Sequence, residues 1–588
     1  MTLFRVWSPF AKRIDLVTSS GHAPMRPGER GWWSADAPST DSAMDYAFSL
    51  DGGSPLPDPR SPWQPEGVHG MSRWIDQAGF HWTDSSWQAP PFSSAIVYEL
   101  HIGTFTPGGS FDAAIERLDH LRELGITHVE LMPVAEFPGS RGWGYDGVDL
   151  YAPYHGYGGP LGLKRLVNAC HDRGLAVILD VVYNHLGPDG NYLGQFGPYF
   201  TDRYATPWGQ AVNFDGECSD EVRRFFIDNA LMWLRDYHFD GLRLDAVHAI
   251  VDTSAVDILE QLATEVADLE KVLSRHLTLI AESDRNDPRL LWSRERGGYG
   301  LAGQWSDDFH HALHALLTSE RDGYYVDFGG LEHLACALTS AYVYDGRYSK
   351  FRRRHHGRPI DGLSGDRFVG YLQNHDQIGN RARGDRSAEL MSFGRLKMGA
   401  AIVMASPFTP MLFQGEEWAA STPFQYFTDH QDLALGNAVT EGRRSEFAAF
   451  GWDVNAIPDP QSIDTFERSR LDWTEISRPP HDEILRWYRQ LIELRKRFAC
   501  LADGRMDGVR VELDEDSRWL VIRRDPIVVA CNLAPAEQLV PLGRNANELL
   551  LTSESDIKLV DEQVLLKPDS VAILHTATHI DQGLAEGP

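Results

Sequence analysis

The sequence predicts an α/β chain: a catalytic (β/α)8 TIM barrel with an N-terminal β-sandwich domain and a C-terminal antiparallel β-sandwich domain. Three observations predict it. Four segments, Leu175–His185, Phe239–His248, Leu277–Asp284 and Phe368–Asp376, each run an apolar stretch into a polar, acid-bearing end, and a strand buried on both faces of a parallel sheet has that continuous apolar character. From Ala95 onward the chain alternates strand-like and helix-like stretches, the rhythm of a parallel sheet. Both ends of the chain carry short β-rich runs punctuated by Pro, Gly and Asp/Ser clusters, as antiparallel sheets do.

In order along the chain, Phe4–Trp7, Arg13–Thr18, Gly31–Ser34 and Tyr46–Leu50 are the strands of a first domain over residues 1–90. The Pro- and Gly-dense stretch Asp51–Gly70 is an irregular linker with no room for a helix. The barrel occupies 91–498 and opens with a strand at Ile96–Ile102. Asp112 then caps a helix with apolar positions Ile115, Leu118, Leu121 and Leu124, stopped by Gly125. The second strand is His128–Pro133, and a short insertion (about 185–218) follows the third. Ser219 is the expected N-cap of a helix burying Val222, Phe225, Phe226, Ala230 and Trp233. Gly303–Trp305 ends the sixth strand, Pro410–Phe413 is the eighth, and Asp482–Phe498 is the last barrel helix. The final domain, 499–588, carries strands at Val509–Leu513, Trp519–Arg523, Ile527–Asn532 and Ser570–His575, and its last residues, Asp581–Pro588, should fray.

Composition narrows the partners. A formal net charge of −29 on 588 residues disfavours nucleic acid and anionic membranes, which would be repelled, and does not penalise a neutral sugar. The 17 Trp and 20 Tyr offer flat apolar faces with polar edges on which sugar rings stack, although most of them belong in the core. The five cysteines, Cys170, Cys218, Cys336, Cys500 and Cys531, are odd in number and scattered without CxxC spacing, so a cytoplasmic location is expected and a disulfide framework or zinc site is not. No apolar h-region opens the chain and no run of about 18 apolar residues could span a membrane.

The C-terminal ends of barrel strands all open onto one face, so Asp245, Glu282 and Asp376 should converge on one pocket from three strands. Hydrolysis of a glycosidic bond needs such a set, one carboxylate as nucleophile and one carboxylic acid as proton donor. Arg243 lies two residues before Asp245, on the same side of the strand, and a guanidinium there keeps a carboxylate ionised. A lone Arg-x-Asp would more often be a structural pair; the acids at matching strand ends shift that balance. Glu282 ends the apolar run LTLIAE, and desolvation raises a carboxyl pKa, which suits a group that must donate a proton. Asp376, after Asn374 and His375, can hold hydroxyls and stabilise an oxocarbenium-like charge. In GWGYDG (Gly142–Gly147) Tyr145 can stack on a sugar and Asp146 can accept hydrogen bonds. Asp307, Asp308, His310, His311 and His314 imitate a metal cluster, but no ligand motif surrounds them and a polar pocket rim is the better expectation. The run Arg352–Arg358 reads as a solvated loop.

Taken together, DVVYNH (Asp180–His185), GLRLDAVH (Gly241–His248), AESD (Ala281–Asp284) and QNHD (Gln373–Asp376) resemble, in order, the four sequence blocks of the α-amylase superfamily of glycoside hydrolases. The resemblance implies Asp245 as nucleophile, Glu282 as general acid/base and Asp376 as transition-state stabiliser, with Asp180, His185, Arg243 and His375 supporting the sugar and Tyr145 stacking on it. A finer match, carried by Gly142–Pro160, Gly187–Gly216, Gln373–Arg381 and Phe413–His430, resembles the maltooligosyltrehalose trehalohydrolase family, which releases trehalose from maltooligosyl-trehalose. It makes that substrate and related α-glucans the implied partners, with no cofactor. His248, Asp284, Trp305, Asp308 and Gln377 are the further candidates for binding substrate. Many α-amylases carry Lys-His after the nucleophile block where this chain has His248-Ala249, which alters the leaving-group side and argues against carrying over their calcium site; no metal is expected. A glycogen branching enzyme, using the same acids for transfer, and a non-catalytic glucan-binding protein are the competing readings.

Overall fold

Eight short parallel strands close into a barrel in chain order: β1 (Val97–Leu100), β2 (His128–Leu131), β3 (Ala176–Val181), β4 (Gly241–Leu244), β5 (Thr278–Ala281), β6 (Gly303–Trp305), β7 (Phe368–Tyr371) and β8 (Thr409–Phe413). This architecture comes from a computed structural model describing residues 2–37, 43–206, 208–449, 457–543 and 546–576. The expected frayed end, Asp581–Pro588, lies outside the described residues.

The two-residue period of a strand explains how the barrel becomes a site. Val97, Ile178, Ile280, Trp305, Val369, Tyr371 and Met411 form an apolar cluster inside the barrel. Two residues further along three of these strands come Glu99, Asp180 and Glu282, so the same inward alternation that fills the floor raises a polar layer above it. Register ties the layer together: Asp180 pairs with Arg243 across β3 and β4, and Glu99 with Glu130 across β1 and β2.

Among the helices of the described residues are α1 (Ser219–Asp236), α2 (Asp307–Thr318), α3 (His375–Gly379), α4 (Phe393–Ala405), α5 (Leu433–Ala449) and α6 (His481–Arg497). On α1 the expected apolar face, Val222, Phe225, Phe226, Ala230 and Trp233, is buried. Ser219 does not cap it, however; Cys218 holds the N-cap position at φ 62 without a side-chain bond, and Ser219 is already helical. Asp220 and Glu221 in the first turn supply the negative charge that the helix N-terminus favours. Asp112 is likewise not a cap. Ser110 takes that role, its Oγ accepting from the Ala113 N–H at 3.2 Å, while Asp112 pairs with Arg165 at 2.7 Å. The helix there breaks after Ile115 and resumes as Leu118–Leu124, ending at Gly125 in the left-handed region, φ 101.

Before the barrel come a four-stranded sheet (Gly21–Pro24, Ile14–Thr18, Met44–Leu50, Ser72–Trp74) and a three-stranded one (Thr2–Trp7, Trp32–Ala37, Arg26–Pro27); the stretch 51–70 has no helix, and it is a connection inside the first sheet, between Met44–Leu50 and Ser72–Trp74. After the barrel come sheets of five and three strands. Four of those, Gln538–Pro541, Ala546–Thr552, Lys558–Val560 and Gln563–Leu566, were not anticipated: three are of four residues or fewer, and Ala546–Thr552 (ANELLLT) does not alternate. We propose that the chain divides as 1–90, 91–498 and 499–588. The insertion after β3 folds as an antiparallel hairpin, Phe200–Thr206 with Gly209–Val212.

Candidate active site

At the C-terminal face of the barrel, Asp245, Glu282 and Asp376 line one cleft of about 580 Å³ together with Tyr145, His185, His248 and His375. Each acid arrives by the same route. Asp245 follows β4 and Glu282 follows β5, where backbone bonds continue the sheet one step beyond the strands (Asp245 N–H to Val181 O, 3.1 Å; Glu282 N–H to Leu244 O, 3.0 Å). Asp376 sits in the first turn of α3, which Asn374 caps by accepting from the Gln377 N–H at 2.9 Å.

Arg243 organises the floor. It is fully buried and its Nη1 donates to Asp180 Oδ2 at 2.7 Å and Asp245 Oδ1 at 2.8 Å, while Nη2 lies 3.4 Å from Glu282 Oε2. The indole of Trp305 lies under the guanidinium, 4.3 Å away. Asn184 holds the other Asp245 oxygen, its Nδ2 donating to Oδ2 at 2.6 Å and to the Asp245 carbonyl at 2.8 Å. Both oxygens of Asp245 are thus fixed by donors. Burial pushes the Glu282 carboxyl up, with Arg243 opposing and Asp245 reinforcing the rise. The result is one carboxylate gripped by a guanidinium and a neutral amide and a neighbouring acid biased toward its protonated form, the division of labour that acid–base chemistry on a glycosidic bond uses.

A second chain of contacts runs beside Asp376, whose Oδ1 lies 3.5 Å from His375 Nε2. The Tyr145 hydroxyl donates to Asp180 Oδ2 at 2.6 Å and lies 2.7 Å from His375 Nε2, while His375 Nδ1 is 2.5 Å from Glu99 Oε1. Burial opposes a charged His375, but Asp376 and Glu99 outweigh it and raise its pKa to about 9. Burial pushes Asp180 up to about 7, against the pull of Arg243. Gly144 makes the Tyr145 loop possible: at φ +100, its Cβ would fall 2.2 Å from the Pro133 carbonyl oxygen.

The remaining candidates divide. His185 lines the cleft with the Trp208 ring stacked on it at 4.5 Å and 8°. His248 also lines it, and its buried Nδ1 has no protein partner. Asp284 is bound by Arg352 at 2.7 Å; burial would raise it, yet His248 and Arg352 hold its pKa down. Arg352 is therefore an ion-paired residue beside the site, whereas Arg353, Arg354, His355 and Arg358 of the same run are exposed as expected. Gln377 accepts from the Tyr324 and Tyr325 hydroxyls at 3.4 Å each. Of these six, only His185 and His248 line the cleft itself, and the last two, Trp305 and Asp308, are committed elsewhere. Trp305, 1% exposed, packs beneath Arg243. Asp308 is buried with Oδ2 accepting from Asn286 and from the Val343 and Tyr344 N–H groups, so it anchors a loop; in its neighbour Asp307, burial, reinforced by Glu282, pushes the carboxyl up to about 7. The expected polar rim of histidines is instead core: His310, His311 and His314 are buried on α2, with His311 stacked 4.4 Å from Tyr324 and His314 Nε2 2.7 Å from Glu320. Among the described residues no group of three or more His, Cys, Asp or Glu could hold a metal ion.

Several residues in or beneath the cleft were not anticipated: Asn184, Glu99, Trp208, Asn380, Tyr426 and Arg443. Asn184 sits inside DVVYNH between Asp180 and His185, and was the one legible in principle.

A closed parallel barrel carrying acids beyond its fourth, fifth and seventh strands around one cleft defines the α-amylase class of glycoside hydrolases. A family model described as "Alpha amylase, catalytic domain" matches residues 74–199, and one described as a domain of unknown function, DUF3459, matches 504–573. The chain is 49% identical to the malto-oligosyltrehalose trehalohydrolase of Mycobacterium tuberculosis, over 98% of this chain and 100% of the relative. It is 50% identical to that of Arthrobacter ramosus, over 92% and 94%. A 1,4-alpha-glucan branching enzyme of Corynebacterium jeikeium is 29% identical over 71% of this chain and 60% of its own length. Among solved structures, a putative alpha amylase from Salmonella typhimurium superposes with TM-score 0.89 at 36% identity, covering 98% of this chain and 97% of that one. The chain belongs to the malto-oligosyltrehalose trehalohydrolase family.

Proposed function

We propose that this chain is a retaining glycoside hydrolase that cleaves the α-1,4-glucosidic bond adjacent to the terminal trehalose of maltooligosyl-trehalose and releases trehalose. The observation that carries the chemistry is the single buried guanidinium shared by Asp180, Asp245 and Glu282. Asp245, with both oxygens held, attacks the anomeric carbon. Glu282 gives its proton to the departing glycosidic oxygen, and trehalose leaves. Water, deprotonated by Glu282, then resolves the glycosyl-enzyme. Asp376 faces the oxocarbenium-like charge. Tyr145, Asp180, His185, Arg243 and His375 support the ring at the cleavage point, and His248 and Asp284 serve the leaving-group side.

The family relationship supports this substrate over the branching alternative, whose representative is more distant and matches less of the chain. The intact trio of acids supports an enzyme over a non-catalytic glucan-binding protein. No described helix is long and apolar enough to cross a membrane, and the five cysteines are unpaired, which supports a cytoplasmic location. Product analysis from a maltooligosyl-trehalose decides the reading. Free trehalose, formed with a much higher kcat/KM than cleavage of the equally long maltooligosaccharide, is expected. New α-1,6 links would favour the transferase, and equal rates on the two substrates would make this a general α-1,4-glucan hydrolase.

A further inference from the structure

Helix α5, which comes after the eighth strand, forms one wall of the cleft through Val439, Gly442 and Arg443. Arg443 does more than close the wall. Its Nη1 donates to Asn380 Oδ1 at 2.9 Å and its Nη2 to the Gly379 carbonyl at 2.9 Å, the last residue of α3. Its guanidinium lies over the Tyr426 ring at 4.6 Å. Asn380 in turn folds back one helical turn, its Nδ2 donating to Asp376 Oδ1 at 3.2 Å while its N–H bonds the Asp376 carbonyl at 2.9 Å.

We propose that Arg443 is a positioning residue for Asp376, acting through Asn380. Donor and acceptor polarity sets the direction of this relay. An amide side chain can present either end, oxygen or NH2, to a neighbour, and only its surroundings choose. Arginine has donors alone, so Arg443 takes the Asn380 oxygen and leaves the NH2 for the Asp376 carboxylate. Without that cation the amide is free to turn its oxygen toward Asp376, where two acceptors repel. The second guanidinium bond, to the Gly379 carbonyl, holds the C-terminal end of α3 against the wall. Gly379 must be glycine for this seat to exist, since a Cβ there would lie 2.0 Å from the Trp143 ring. An acid delivered by strand seven is thus aimed by a helix that comes after strand eight.

This role rests on the reading of Asp376 as a group that acts on the reacting sugar, and the experiment separates the two. Arg443→Met, Asn380→Leu, the double variant, Arg443→Lys and Asp376→Asn are assayed for kcat and KM on a maltooligosyl-trehalose, with circular dichroism confirming that each is folded. Misaligning a group that acts in the transition state should lower kcat about 10- to 100-fold in Arg443→Met and in Asn380→Leu, with KM changed less than about threefold. The double variant should be no worse than either single change, because both break one relay. Arg443→Lys, which keeps a donor, should recover most of the loss. Losses that multiply in the double variant, or that fall on KM, would overturn the proposal and make Arg443 a direct substrate contact. Near-normal turnover in Asp376→Asn would instead refute the role of Asp376 itself.

Discussion

The backbone N–H of Ala246, the residue after Asp245, donates to Glu282 Oε2 at 2.5 Å. Ala246 is left-handed, φ 38 and ψ 49, a conformation that costs a non-glycine residue about 1–3 kcal/mol. That bend turns the N–H onto Glu282 and ties the orientation of the acid to the strand that carries its partner. Because Oε2 also faces Arg243 Nη2, the proton that Glu282 gives up in the proposed reaction is expected on Oε1.

Removing either reacting group should therefore abolish turnover without unfolding the protein. Asp245→Asn and Glu282→Gln preserve volume, and each is expected to lose activity by at least about 10²–10⁴, the usual worth of acid–base participation. Steady-state kcat, with circular dichroism as the control for folding, checks this. Retention of activity within about tenfold, roughly 1.4 kcal/mol in barrier, would show that the roles are misassigned.

His375 should be an imidazolium across the neutral range. Tyr145 has one hydroxyl proton and gives it to Asp180, so it must accept from His375 Nε2, while Nδ1–H serves Glu99. Two donating ring nitrogens require the charged form, in agreement with a pKa raised to about 9 by Asp376 and Glu99 against burial. The folded value lies above the unfolded one of about 6.5. The stability this charge contributes is therefore complete below about 6.5 and is lost as pH rises through the folded value. Glu99→Gln removes one source of the rise. The Tm difference between wild type and Glu99→Gln should be largest near pH 6 and shrink toward pH 9, and the His375 NMR titration should move down. A pH-independent difference with an unmoved titration would contradict this.

Much of the site was legible in the chain because strand ends carry their own signature. The apolar runs into Asp180, Asp245, Glu282 and Asp376 located four strands, and the barrel's common face then implied convergence. What could not be read was which side chain sits beside which. Glu99 is 276 residues from His375, and Arg443 is 63 from Asn380; only barrel closure and the return of α5 over the cleft bring them together. Trp305 and Asp308 were misplaced for a related reason. Their position near a strand end and helix start brought them close to the rim, but the indole turned under Arg243 and the carboxylate toward the Val343 and Tyr344 backbone.

The buried seat of Trp305 has a consequence for substrate choice. Trp305 touches the guanidinium at 4.3 Å, a buried cation–π contact worth about 2 kcal/mol when desolvated, and it does not line the cleft. Trp305→Leu should lower kcat by about tenfold, corresponding to about 1.4 kcal/mol of barrier, to the same extent on maltooligosyl-trehalose and on the equally long maltooligosaccharide. Trp305→Phe, which keeps a ring face, should lose less. A change of the ratio between the two substrates by more than about tenfold, the equivalent of about 1.4 kcal/mol, would return Trp305 to the leaving-group side.

The anomeric outcome depends on how closely the two carboxyls are held. An inverting glycosidase needs about 6.5–9.5 Å between them to seat a water, whereas a retaining one uses about 5–5.5 Å. Asp245 and Glu282 extend adjacent strands, and adjacent strands run about 4.7–4.9 Å apart. The same guanidinium reaches both, at 2.8 Å and 3.4 Å, and the Ala246 N–H pulls Glu282 toward the strand of Asp245. That proximity supports the proposed attack by Asp245 itself, in which the sugar is inverted twice. Proton NMR in the first minutes of reaction should show the α-anomer at the new reducing end of the shortened maltooligosaccharide, before mutarotation. The β-anomer as first product would mean that water attacks directly and that Asp245 acts as a base.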